Sequence, residues 1–141
     1  MIVLDTNVLS ELMRPTPSPE VKAWLRQTSE DLLVTTVITI SEIEYGLARL
    51  PEGSRRRDLE QRFAELTGTQ FDFSILPFEV LAARLAGRLH SQRENQGWAT
   101  QPADMMIAAI TLVAGAKLAT RNAKDFSGVG LDVINPWNIP T

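Results

Sequence analysis

Short apolar runs alternate with segments of helical periodicity along the chain, and this alternation limits the possible folds more than any other feature. Parallel strands need a long crossover connection, usually a helix, so strand–helix alternation is typical of a parallel sheet. The pattern therefore predicts an α/β fold. The expected strands lie at 2–4, 32–36, 71–76, 117–120 and 132–134.

The helical segments place several polar side chains close to strand ends. Asp5 follows the first strand and can cap the helix after it. A helix expected from about 40 to 50 puts Glu42 in its first turn. The segment 105–116 is almost entirely apolar, which predicts a buried helix. A further helix is expected to carry a stripe of leucines spaced by four, namely Leu81, Leu85 and Leu89.

The kinds of side chain present limit the possible chemistry. Cysteine is absent and His90 is the only histidine. Disulfides, thiolate nucleophiles and zinc sites that need cysteine or several histidines from one chain are therefore excluded. Any metal ion must be bound mainly by oxygen, which favours Mg²⁺, Mn²⁺ or Ca²⁺. The net charge of −3 also argues against non-specific coating of nucleic acid.

The length of 141 residues corresponds to one domain of common size. The sequence contains no internal repeat, no low-complexity tract and no linker between two domains. It also has no apolar run approaching the roughly 18 residues of a membrane span, and its first residues do not resemble a signal peptide. We therefore expect a soluble cytoplasmic protein.

Three acidic residues occupy equivalent places relative to the expected strands and helices. Asp5 follows the first strand, Glu42 begins the helix after the second, and Asp104 begins the buried helix. Ligands of open α/β sheets bind beyond the carboxyl ends of the strands. Asn122 and Asp125 follow the fourth strand, at the same edge. These five residues are the candidate site.

Each acid also has a purely structural interpretation. Asp5 can simply cap its helix, and Asp104 can be an ordinary helix start after a proline. Glu42 or Glu44 can complement the helix dipole, and helical geometry alone does not choose between them. The pair after the fourth strand can be turn residues.

The acids are more informative as a group than one by one. Three carboxylates about 5 Å apart would repel by roughly 3 kcal/mol per pair at an effective dielectric constant of about 20. Such a group persists only if it is protonated or binds cations. A divalent cation held beside a phosphodiester can acidify and orient water, so no histidine or cysteine is needed for hydrolysis.

Five segments in order resemble the motifs of the PIN-domain ribonucleases, in particular the VapC/FitB-like toxins of type II toxin–antitoxin pairs. The second segment selects Glu42 over Glu44. The resemblance covers nearly the whole chain, so we expect residues 1–141 to form a single PIN domain. The segments are IVLDTNVLSE (2–11), SEIEYG (41–46), PADMMIAA (102–109), ATRNAKDF (119–126) and NPW (135–137).

The resemblance implies a three-layer α/β/α fold around a parallel sheet of about five short strands. It also implies hydrolysis of RNA phosphodiester bonds with Mg²⁺ or Mn²⁺. In these roles Asp5 and Asp104 hold the principal ion, and Glu42 orients a water molecule or a second ion. Asn122 aligns with the fourth motif residue, and Asp125 can supply a fourth negative charge.

Further roles follow from the same resemblance. Thr6, Asn7 and Thr120 are expected to donate hydrogen bonds that fix the carboxylates. The expected partners are a second copy of the chain and a small VapB-like antitoxin that covers the site. An antitoxin arginine could pair with the acids, since bidentate bonds between arginine and carboxylate are strong. Arg121 and Lys124 lie beside the predicted site and are the candidate RNA contacts.

Other features of the sequence have simpler interpretations. The arginines between 49 and 93 are interpreted as a solvated helix face, and Trp98 as a packing residue. A phosphatase of the haloacid dehalogenase type would need a second Asp where this chain has Asn7. A catalytically inactive PIN-like module that binds RNA or a partner remains the alternative, because Asn122 replaces the Asp of some relatives.

Overall fold

The structure is a computed structural model that describes residues 1–29, 32–68 and 74–139. Five strands in these ranges form one sheet, and every neighbouring pair is parallel. The expectation of a parallel sheet of about five short strands is confirmed. The strands are β1 (Ile2–Leu4), β2 (Leu33–Thr36), β3 (Ser74–Leu76), β4 (Lys117–Ala119) and β5 (Val133–Ile134).

Six α-helices and one short 3₁₀ helix occupy the described connections. The 3₁₀ helix, Ala123–Phe126, follows β4. The α-helices are α1 (Thr6–Leu12), α2 (Pro19–Gln27), α3 (Val37–Ala48), α4 (Ser54–Thr67), α5 (Val80–Asn95) and α6 (Pro102–Val113). No helix of the described residues is long and apolar enough to cross a membrane.

The strand order β3-β2-β1-β4-β5 puts β1 at the centre of the sheet. The chain moves outward from β1 in one direction through β2 and β3, and returns to the other side of β1 with β4. The carboxyl ends of β1 and β4 therefore border the topological switch point, where open α/β sheets bind their ligands. Asp5 and Thr120 directly follow these two strands.

The sheet separates two apolar clusters, which gives the expected three layers. Successive side chains of a strand point to opposite faces. On β1, Val3 packs with α5 and α6, whereas Leu4 packs with α1, α2 and α3. The prediction of a buried helix is confirmed by α6, where Met105 and all residues from Ile107 to Thr111 are buried.

Several predicted boundaries are wrong. Helix α3 begins at Val37, because the side chain of Thr36 caps it by accepting a 3.1 Å hydrogen bond from the backbone N–H of Thr39. Glu42 therefore lies in the second turn, not the first. Strand β4 ends at Ala119, one residue before the predicted end, and residues 71–73 of the predicted third strand lie outside the described residues.

The leucine stripe predicted for α5 does not coincide with the buried face of the helix. Leu89 is buried, whereas Leu81 is 67% exposed. The buried positions are Ala82, Ala86, Leu89 and Arg93. The difference arises because the buried face begins with two alanines, Ala82 and Ala86, which a stripe of leucines does not include. The stripe ends in an arginine that is 2% exposed.

Candidate active site

Asp5 lies at the carboxyl end of β1, where it is the N-cap of α1 and is only 5% exposed. Its Oδ1 accepts a 2.8 Å hydrogen bond from the backbone N–H of Thr6. Its Oδ2 accepts hydrogen bonds from Thr120 Oγ1 at 2.7 Å and from Asn7 Nδ2 at 3.2 Å. Three donors from two segments therefore fix the orientation of this carboxylate.

Thr120 joins the two segments at the switch point. Its hydroxyl donates to Asp5 and accepts from Asn7 Nδ2 at 3.3 Å and from the backbone N–H of Asn122 at 3.1 Å. A hydroxyl offers one donor and two acceptor positions, so these bonds use it fully. Asn7 Oδ1 in turn accepts a 3.0 Å bond from the backbone N–H of Arg121. The network locks the β1–α1 corner against the loop after β4.

Glu42 approaches the same corner from α3. Its Oε1 accepts a 2.7 Å hydrogen bond from Thr6 Oγ1, which also lies 3.3 Å from Thr39 Oγ1. Glu44 is exposed on another face of the helix. The structure thus brings Glu42 to the end of β1 and leaves Glu44 in solvent.

Asp104 lies in the first turn of α6 and is partly buried. Burial, and after it the negative charges of Asp5, Asp125 and Glu42, raise its pKa to about 7. The guanidinium of Arg93 opposes these effects and lowers the pKa. Asp104 therefore lies within electrostatic range of the three other acids.

The pKa of Asp5 is also raised, chiefly because burial disfavours its charged form. The hydrogen bonds from Thr120, Thr6 and Asn7 lower the pKa but do not outweigh burial, and the charge of Glu42 raises it further. The charged forms of Asp5 and Asp104 are thus both disfavoured, and a bound cation would stabilise them.

The oxygen donors of this site suit a hard divalent ion. Carboxylates are ligands that Mg²⁺ and Mn²⁺ prefer, and the hydroxyl and amide groups beside them can orient the carboxylates. Within residues 1–29, 32–68 and 74–139, however, no three acidic or histidine side chains are grouped closely enough to hold an ion together. The residue types fit the ion, while the side chains are more widely spaced than in a closed coordination shell.

The two candidates after β4 have different surroundings. Asn122 is exposed, and its backbone N–H donates to Thr120. Asp125 lies in the 3₁₀ helix, where its charge acts on Asp104. Asp125 thus adds the fourth negative charge, and Asn122 contributes a backbone contact.

The candidate RNA contacts are both exposed beside the acids. Lys124 lies in the 3₁₀ helix, and the guanidinium of Arg121 lies 5.0 Å from the centre of the Trp137 ring. Arg121, Trp137, Thr6 and Glu42 border a groove of about 590 Å³ along α1, α3 and α4. Its apolar lining consists of Met13, Ile43, Leu47, Leu50 and Leu59.

The prediction that Arg93 belongs to a solvated helix face is wrong. Arg93 is almost fully buried, and its charge acts on Asp104. The available signal was its position, since residue 93 continues the buried stripe of α5. Trp98 is 42% exposed, with the Arg93 guanidinium 4.9 Å from the centre of its ring.

The parallel sheet of order β3-β2-β1-β4-β5, with acidic residues close to its switch point, defines an α/β protein with an acidic edge. The family model of the PIN domain matches residues 2–130. The chain belongs to the PIN-domain family.

Similar proteins align along almost the full chain. VapC ribonuclease Y4jK of Sinorhizobium fredii is 38% identical over 97% of this chain and 98% of its own. Toxin FitB of Neisseria gonorrhoeae is 33% identical over 98% of this chain and 99% of its own. A solved structure of FitAB bound to an IR36 DNA fragment aligns with a TM-score of 0.88 at 33% identity, covering 100% of this chain and 99% of the other.

Proposed function

We propose that this protein is a metal-dependent endoribonuclease, the toxin of a type II toxin–antitoxin pair. The observation that carries the proposal is the meeting of Asp5 and Glu42 at the switch point of the sheet, where Thr6 donates a hydrogen bond to each of them. The charges of Asp5 and Glu42, together with that of Asp125, also act on Asp104. The names of its relatives, a VapC ribonuclease and a FitB toxin, support the same activity. We further propose that residues 1–141 form a single PIN domain.

Asp5 and Asp104 would hold a Mg²⁺ or Mn²⁺ ion, with Glu42 completing the site. When bound, the ion would neutralise charge on the phosphate and acidify the attacking water. Glu42, whose Oε1 accepts from Thr6, would orient that water or a second ion. Asp125 would add negative charge beside Asp104, and Asn122 would offer its amide oxygen at the exposed side.

The donors around the acids would reduce the rearrangement needed on binding. Thr120, Thr6 and Asn7 already hold the Asp5 carboxylate in one orientation. Preorganised groups need little movement during the reaction, which is a main source of electrostatic catalysis. Arg121 and Lys124, exposed beside the site, would contact RNA phosphates and guide the RNA strand past the acids.

We propose two protein partners. A VapB-like antitoxin would fill the apolar groove along α1, α3 and α4, and one of its arginines would pair with the acids.

A second copy of the chain would cover the exposed apolar side chains of Val80, Leu81 and Val113. The variant Leu81→Asp should therefore convert a dimer into monomers, which light scattering would detect. We also propose a cytoplasmic location, because the proposed RNA substrate and antitoxin would be found there.

The test is cleavage of end-labelled total tRNA and rRNA by purified, antitoxin-free protein with Mg²⁺ or Mn²⁺. Discrete cuts should disappear with EDTA and in the variants Asp5→Asn and Asp104→Asn. Glu44→Gln is the matched control, because Glu44 is an exposed acid of the helix that carries Glu42. Ion binding by calorimetry without any cleavage would favour the inactive module instead, and absence of both would refute the proposal.

A further inference from the structure

Arg93 is a charged side chain buried at the end of α5, with only 2% of its surface exposed. Burying a charge is costly unless hydrogen bonds or an opposite charge compensate for it. Among the described residues, no carboxylate forms an ion pair with this guanidinium. The compensation comes from polar and aromatic groups of two neighbouring loops.

The first loop leads into α6. Arg93 Nε donates a 3.1 Å hydrogen bond to Thr100 Oγ1, and the guanidinium lies over the ring of Trp98. The backbone carbonyl of Arg93 accepts a 2.9 Å bond from the N–H of Trp98. Thr100 is four residues before Asp104, so Arg93 fixes the segment that positions this acid.

The second loop follows the 3₁₀ helix. Arg93 Nη1 donates a hydrogen bond to the backbone carbonyl of Ser127, two residues after Asp125. The two loops also approach each other next to this bond. Gly128 lies so near Gln96 that a Cβ added to the glycine would be 3.5 Å from Gln96 Oε1. The Arg93 side chain therefore contacts two segments on the α6 side of the sheet, and each segment contains one of the site's acids, Asp104 or Asp125.

We infer that Arg93 is a positioning residue that fixes the Asp104 segment relative to the Asp125 segment through its bonds to Thr100 and Ser127. The inference rests on the proposed function, since it assigns the bonds a purpose in the acid site. An arginine suits this role because its planar guanidinium presents five donors in fixed directions. A lysine ammonium carries the same charge at one point and lacks the planar fork.

The test compares three variants with a matched control. Arg93→Met removes the donors and keeps an unbranched apolar chain, Arg93→Lys keeps the charge, and Thr100→Val removes one partner with little change in shape. Arg88→Met is the control, because Arg88 is an exposed arginine of the same helix. All proteins are compared at a temperature at which thermal melts show them fully folded.

Three measurements are made on each protein. Hydrogen–deuterium exchange of the metal-free protein follows residues 96–104 and 122–128. Electron paramagnetic resonance measures the affinity for Mn²⁺, and single-turnover cleavage of RNA measures the rate of the chemical step. The exchange experiment tests the bonds without any ion, so it remains informative if the protein proves not to bind metal or cut RNA.

We expect faster exchange in both segments for Arg93→Met and Arg93→Lys, and in 96–104 for Thr100→Val. We also expect Mn²⁺ affinity and cleavage rate to fall roughly 10–100-fold in both Arg93 variants, the usual effect of losing a partner that positions metal ligands. Unchanged exchange, or full recovery of affinity and rate in Arg93→Lys, would overturn the inference. So would a lower melting temperature with wild-type affinity and rate, because Arg93 would then be merely structural.

Discussion

Thr120 Oγ1 donates a 2.7 Å hydrogen bond to Asp5 Oδ2, and the two residues are 115 positions apart in the chain. The bond spans the point where the strand order reverses, because Asp5 follows β1 and Thr120 follows β4. The same hydroxyl accepts from Asn7 and from the backbone of Asn122. One buried threonine therefore holds together the first and last motifs of the candidate site.

Removing this hydroxyl should damage the site more than the fold. We expect Thr120→Val to lower RNA cleavage by roughly 10–100-fold, because Asp5 loses a donor that fixes its orientation. The free energy of unfolding should fall by about 1–3 kcal/mol, since buried polar groups lose their partner. Cleavage assays and urea denaturation measure the two effects. Thr120→Ser keeps the hydroxyl and should retain most of the activity; an equally inactive serine variant would contradict this explanation.

The acid cluster should make the metal-free protein less stable as pH rises. The pKa of Asp104 is about 7 in the folded state, against 3.8 for an unperturbed Asp. Between these pH values the folded state binds more protons at this site than the unfolded state, so stability falls with increasing pH and levels off above 7. Thermal melts in EDTA from pH 4 to 8 measure this trend.

The contribution of Asp104 is isolated by the variant Asp104→Asn, which has no proton to lose. In EDTA, the variant should gain stability relative to the wild type as pH rises from 4 to 7. Above pH 7 the difference should be constant. A difference that does not depend on pH would show that Asp104 titrates at its ordinary pKa in the folded protein.

The sheet and the positions of the acids along it could be predicted because both depend on local pattern. Apolar runs specify strands, and parallel strands bring their carboxyl ends to one edge, so Asp5 was expected at that edge. Which face of a helix is buried depends on how its side chains pack against the neighbouring elements. The leucine spacing of α5 does not contain this information, so it does not predict that Leu81 is exposed. The periodicity of α5 places Arg93 on the buried face, but it does not reveal the acceptors, Thr100 Oγ1 and the carbonyl of Ser127, that allow a charged side chain to be buried there.

Divalent ions should stabilise the folded protein, and the effect should grow with pH. An ion that binds only the folded state adds about 2.7 kcal/mol at a free concentration of about 100 times its Kd. Protons compete for Asp5 and Asp104, whose pKa values are raised, so the increase in melting temperature with Mn²⁺ should be larger at pH 8 than at pH 6.

The same melts with two variants identify the ligands. Asp5→Asn should lose most of the Mn²⁺ effect, whereas Glu44→Gln should keep it, because Glu44 is exposed away from the site. An undiminished effect in Asp5→Asn would mean that the ion binds elsewhere on the protein.

Arg121 should contribute electrostatically to RNA binding. Its backbone N–H is held by Asn7 and its guanidinium lies over Trp137, so the charge is kept beside the groove next to the acids. Each phosphate contact releases counterions, and the loss of one contact reduces the slope of log affinity against log salt by about 1. We therefore expect Arg121→Ala to flatten this slope. Binding is measured in the Asp104→Asn background, which prevents cleavage during the titration.

Two further variants separate charge at this position from charge in general. Arg121→Lys keeps a cation and should retain the slope, although its contact with the Trp137 ring changes. Arg57→Ala removes an exposed arginine of α4 and should leave the slope unchanged, because Arg57 does not line the groove. Equal slopes for Arg121→Ala and the wild type would exclude a phosphate contact at Arg121. Equal losses in Arg121→Ala and Arg57→Ala would instead mean that RNA responds to the overall charge of the protein.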